Sequence, residues 1–176
     1  MSDLFHHDIP ESFVLRVFET MLRADWHIYQ VLTKRPSRAV RFWKRHGPAL
    51  GYDEVPEHIW MGTSVESQAV DYRVRHLKLL SAKVRFLSCE PLLGPPELDL
   101  EGIHWVIVGG ESGPVRRAME PRWADAIRDE CLERGVPFFF KQWGGRTPKA
   151  SGRLLGGREW SERPAVAEAM TASSPA

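Results

Sequence analysis

Cysteine is scarce in this chain, with Cys89 and Cys131 the only two in 176 residues. Neither sits in a Cys-x-x-Cys pair, which argues against a disulfide framework and against a cysteine-built metal site within the chain. Both read as reduced, buried, small hydrophobes. A charge excess is lacking as well: 24 Lys and Arg against 23 Asp and Glu leave a formal +1. The whole molecule therefore casts no field that would announce nucleic acid or an anionic membrane, and any such signal must be local. Long apolar runs are missing too, none approaching the roughly 18 residues of a membrane span. The opening Met1-Ser2-Asp3-Leu4-Phe5-His6-His7 has neither the charged nor the apolar region of a signal peptide. A cytoplasmic location with no membrane partner is the expectation. What is present is 43% hydrophobic residues with 10% aromatics, enough for one sizeable core.

Hydrophobic periodicity divides the chain into alternating helices and strands. A helix is predicted from Pro10 to about Arg23, with Phe13, Val17 and Met21 on one stripe. The apolar run His27–Thr33 reads as a strand, and Pro36 opens a second helix reaching about His46. A second strand, His58–Ser64, precedes a helix with Val70, Val74, Leu77 and Leu80 on one face. Further strands follow at Val84–Ser88, Ile103–Val108 and Pro137–Phe140, with a helix from about Arg122 to Arg134 that stops at Gly135. Leu154–Glu159 suggests a small hairpin, and residues 165–176, rich in Ala, Ser and Pro, suggest a disordered tail after a single domain over 1–164.

Nearly all-apolar strands alternating with helices imply a parallel sheet covered by helices. Two architectures satisfy that pattern: a partial (β/α) barrel with outer helices, or an open doubly wound sheet. Either one gathers its site beyond the carboxyl ends of the strands. Those exits carry Lys34 and Arg35, Ser64 and Glu66, Ser88 and Glu90, Gly109-Gly110-Glu111-Ser112, and Lys141. Glu90, Glu111 and Lys141 are the candidates for acid-base chemistry, because a charge at the mouth of a buried strand needs a partner or a ligand. Ser64, Glu66 and Ser112 fit helix capping as well as they fit a ligand. The glycine run offers bare amides to a phosphate or cofactor, or simply turns the chain.

One charge cluster stands out. Lys34, Arg38, Arg41 and Arg45 fall at helical spacing, with Arg35 beside them and no acid between Gln30 and Asp53. It reads either as a solvated helix face or as an anion-binding surface for phosphate or nucleic acid. His6-His7-Asp8 reads as a loop and cap, and no metal site is expected.

The strings Ser2-Asp3-Leu4-Phe5-His6, Leu32-Thr33-Lys34-Arg35-Pro36, Ser88-Cys89-Glu90-Pro91-Leu92-Leu93-Gly94-Pro95, Val108-Gly109-Gly110-Glu111-Ser112-Gly113 and Phe139-Phe140-Lys141-Gln142-Trp143-Gly144 resemble one family. It is the phage-derived three-cysteine-motif family of uncharacterised proteins, related to radical S-adenosylmethionine enzymes. The resemblance implies a partial barrel with S-adenosylmethionine across the strand ends, held at Ser64, Glu66, Gly109, Gly110 and Ser112 and near Glu90 and Glu111. It also implies a cysteine trio for an iron-sulfur cluster, and this chain departs from the family there. It resembles the later portion without the cysteine loop, so the cluster is not expected in this chain. A segment or second chain bearing the cysteines becomes the expected partner, and an inactive truncated fragment is the remaining alternative.

Overall fold

The computed structural model describes residues 3–147 and 150–165. Five strands, β1 (Tyr29–Thr33), β2 (Ile59–Ser64), β3 (Arg85–Cys89), β4 (Trp105–Gly109) and β5 (Phe138–Gln142), form one sheet in that order, every neighbouring pair parallel. Helices α1 (Glu11–Arg23), α2 (Pro36–His46), α3 (Tyr72–Lys78) and α4 (Pro121–Glu133) flank it. The expected residues 165–176 tail lies outside the described residues but for Ala165. No helix among the described residues is long and apolar enough to cross a membrane.

The two faces of the sheet are built differently. Val31, Ile59, Met61, Leu87, Cys89, Val106, Val108, Phe138 and Phe140 join one cluster with Val14 and Phe18 of α1, Phe42 and Trp43 of α2, Leu77 of α3 and Ile127 of α4. The alternate strand positions Trp60, Phe86, Trp105 and Ile107 form a second cluster with Leu32 and Phe139, and among the described residues no helix residue belongs to it. Period-two alternation puts successive side chains on opposite faces, so each strand feeds both clusters. A sheet in sequential order with its helices packed on one face is wound as a (β/α) barrel is, opened along one side. The second face is then the concave one. Gly62 lies under Phe86 there, and a Cβ at residue 62 would fall inside the Phe86 ring contact distance.

The edges differ too. No described strand pairs with the outer side of β1. Beyond β5 the chain returns antiparallel: Phe139 bridges Ser161, the Phe140 amide donates to the Trp160 carbonyl at 3.0 Å and Glu162 to Phe138 at 3.2 Å. The predicted small hairpin is present, with Leu155 and Arg158 bridged. The last strand runs two residues further than its apolar run suggested, so Lys141 and Gln142 are strand residues and not exits. The ladder to β4 carries them that far, shifting register between Val108 and Gly109.

Cys89 on β3 and Cys131 on α4 are both free and buried between the sheet and its helices. Burial raises both thiol pKa values, that of Cys131 to about 12. Thiolate is the reactive form, so neither thiol should react with a disulfide reagent in native protein, and both should react on unfolding. Rapid native labelling of either one would contradict this packing.

Candidate functional site at the strand mouth

The carboxyl ends of the strands are tied together by charged side chains. At β1 the Asp3 carboxylate, from the segment before α1, accepts from Thr33 Oγ1 at 2.7 Å, Lys34 N at 3.1 Å, Arg35 Nη1 at 2.7 Å and Phe5 N at 3.0 Å. Burial opposes its ionisation, yet the hydrogen bonds from Thr33, Lys34, Phe5 and Arg35 prevail and hold its pKa below the usual carboxylate value. At β2, Glu66 pairs with Lys34 and, at 2.9 Å, with Arg73, which also donates to the Ser64 carbonyl at 3.0 Å. Burial again opposes, and the Lys34 bond leads the contributions that lower the Glu66 pKa.

At β3 and β5 the geometry is that of a site. Glu90 Oε1 meets Lys141 Nζ at 3.1 Å, while Ser88 Oγ donates to Glu90 Oε2 at 3.1 Å. Gly109 on the intervening β4 leaves room for this: a Cβ at residue 109 would lie 2.7 Å from Glu90 Oε1. The pair closes one end of a cavity of about 470 Å³ on the concave face, whose walls include Leu32, Phe86, Trp105, Ile107 and Phe139, with Arg163 from the returning segment. Trp60 Nε1, in the same aromatic cluster, is buried without a hydrogen-bond partner. A second cavity, about 430 Å³, lies at the ends of β1 and β2 between Asp3, His6, Asp8, Lys34, Arg35 and Ser64. Both cavities touch Leu32.

Of the three acid-base candidates, the structure thus brings Glu90 and Lys141 together. Glu111 is occupied elsewhere. Arg117 grips its carboxylate through N and Nε at 2.9 Å and through Nη2 at 2.7 Å, and these bonds lower its pKa to about 2. The glycine run offers fewer bare amides than it promised. Gly110 N donates to the Gln142 carbonyl at 2.9 Å and Gly113 N to Gly145 at 2.9 Å, and Ser112 Oγ accepts from Gln142 Nε2 at 3.1 Å.

Part of the basic face finds partners within the molecule. Besides Lys34 and Arg35, Arg38 donates to the carbonyls of Phe5, His6 and Ile9, and Arg45 pairs with Glu11 at 2.8 Å. Arg41 remains exposed. Like charges at helical spacing are tolerated here because α1 and its leading segment supply acceptors, a tertiary contribution that spacing cannot reveal.

Several site residues escaped sequence reasoning. Asp3, Arg73 and Arg117 are ordinary surface types in sequence, recognisable only by their partners. The aromatic wall was legible in principle: Phe86-Ser88-Glu90 and Trp105-Ile107-Gly109 are alternate positions on one face.

The fold and site define a parallel α/β protein with an open, ligand-sized mouth at the strand carboxyl ends. Over residues 1–164 the chain matches the family described as protein of unknown function DUF5131, and it belongs to that family. No curated protein and no solved structure matches it.

Proposed function

We propose that this chain is the ligand-binding part of a radical S-adenosylmethionine-type barrel, holding S-adenosylmethionine or a similar zwitterionic nucleoside across its concave face. One observation carries the reading: an adjacent carboxylate and ammonium, Glu90 and Lys141, stand over an aromatic and aliphatic cavity at the mouth of a parallel sheet. Glu90 suits an ammonium or sulfonium group, Lys141 a carboxylate, and Trp105 and Phe139 a planar base or thioether. The proposed relationship to the phage-derived three-cysteine-motif family of uncharacterised proteins rests on the five sequence strings quoted above.

An iron-sulfur cluster does not fit these residues. The two thiols belong to the core between the sheet and its helices, and neither lines a mouth cavity. Cluster ligation takes several thiolates. No radical step is therefore assigned to this chain, and the proposed partner is a segment or second chain that brings the cysteines, with the side of β1 on which no described strand pairs as the place for an added strand.

Calorimetric titration of the full chain with S-adenosylmethionine and S-adenosylhomocysteine tests the proposal. Saturable binding is expected, weakened at least tenfold in Glu90→Gln and in Lys141→Met, with melting temperatures near wild type because partly exposed ion pairs contribute only about 0–1 kcal/mol. A folded wild type that binds neither compound would overturn it, as would salt-sensitive binding of oligonucleotides alone.

A further inference from the structure

His6-His7-Asp8 precedes α1, where a carboxylate would be expected to cap the helix. It does not: the residue at the cap position is Pro10, and no side chain caps that end. The Asp8 carboxylate turns instead to the two imidazoles. His6 Nδ1 lies 3.2 Å from Asp8 Oδ2 and His7 Nε2 lies 3.0 Å from Asp8 Oδ1, with all three donor groups within 4.8 Å of one another.

Those separations have a meaning in coordination chemistry. Zinc-type ions hold imidazole nitrogen and carboxylate oxygen at about 2.1 Å, so two ligands about 90–109° apart lie roughly 3.0–3.4 Å from each other. The two observed separations, one to each oxygen of Asp8, fall in that span, and the three donor groups lie within 4.8 Å of one another. The backbone beneath is fixed in advance. Phe5 is buried against Phe18 and Phe42, the His6 amide donates to the Asp3 carbonyl at 2.9 Å, and Arg38 binds the carbonyls of Phe5, His6 and Ile9. A segment already ordered loses little further entropy when it takes up a ligand. His6 and Asp8 also border the 430 Å³ cavity at the ends of β1 and β2.

We propose that His6, His7 and Asp8 form a binding site for a divalent transition-metal ion of the zinc, nickel or copper kind, the ions suited to imidazole. It stands independently of the nucleoside reading, since it uses none of the residues assigned to that ligand.

The test uses the untagged full chain. Titration with Zn²⁺ should show one ion bound per chain in the micromolar range. His7→Ala and Asp8→Ala should each weaken binding at least tenfold, while the exposed His27→Ala leaves it unchanged. With Cu²⁺, electron paramagnetic resonance should show two nitrogen ligands in wild type and one in His7→Ala. Circular dichroism confirms that each variant is folded. Equal affinity in wild type and His7→Ala, binding confined to millimolar Zn²⁺, or loss of binding in His27→Ala would each overturn the assignment.

Discussion

Gly110→Ala should lower stability by about 3 kcal/mol, the upper part of the range for overpacking a filled interior, and so lower the melting temperature by roughly 6–12 °C in a chain of this length. A Cβ at residue 110 would lie 2.6 Å from the Trp143 carbonyl carbon and 3.3 Å from Gly144 N, closer still to the Trp143 oxygen. Backbone cannot rotate out of the way as a side chain can. The loops after β4 and β5 meet here main chain to main chain, through Gly110 N to Gln142 O at 2.9 Å and Gly145 N to Glu111 O at 3.1 Å. The neighbouring Gly109→Ala provides the contrast. Its Cβ would crowd the Glu90 carboxylate, a movable group, so ligand binding should suffer more than folding. Thermal unfolding of the two variants side by side decides the matter; equal melting temperatures would mean that the loops are not packed this closely.

Asp3→Ala should cost about 3 kcal/mol, because it leaves the Arg35 guanidinium, the Thr33 hydroxyl and the Phe5 and Lys34 amides without their shared acceptor. The Asp3 carboxyl is 15% exposed, so water restores only part of what is lost. The same contacts set a pH dependence. The folded-state pKa of Asp3 is depressed, and so is that of Glu66. A carboxyl that binds its proton more weakly when folded contributes stability that is fully present above its unfolded pKa of about 4 and is lost as pH falls through the folded value. Wild type should therefore destabilise steeply below about pH 4, and Asp3→Asn less steeply, since it has one such carboxyl fewer. Denaturant melts at neutral pH and across that acid window measure both effects. Identical acid slopes for wild type and Asp3→Asn would show that Asp3 is not held as described.

The sequence by itself determined the element order and the type of sheet. Strands Val84–Ser88 and Ile103–Val108 were legible because a strand covered on both faces is apolar at nearly every position. Gly135 marked the end of α4, and its φ of +65° is the left-handed conformation that glycine tolerates best. The location of the polar residues beyond the strand ends was legible for the same reason, since periodicity shows where each apolar run stops.

Tertiary structure decided which of those residues meet. Glu90 and Glu111 look equivalent in sequence, each closing a strand, yet Glu90 faces Lys141 across Gly109 while Arg117, six residues on, holds Glu111. The row Lys34, Arg35, Arg38, Arg41 and Arg45 looks like a continuous anion-binding face, yet Glu66, Asp3 and Glu11 pair with Lys34, Arg35 and Arg45 and three carbonyls accept from Arg38, leaving Arg41 exposed. The physical reason is common to both. Hydrophobic periodicity is a local property of the chain, fixed by the backbone repeat, whereas a charge finds its partner at whatever distance along the sequence the packed helices and strands bring one within about 3 Å.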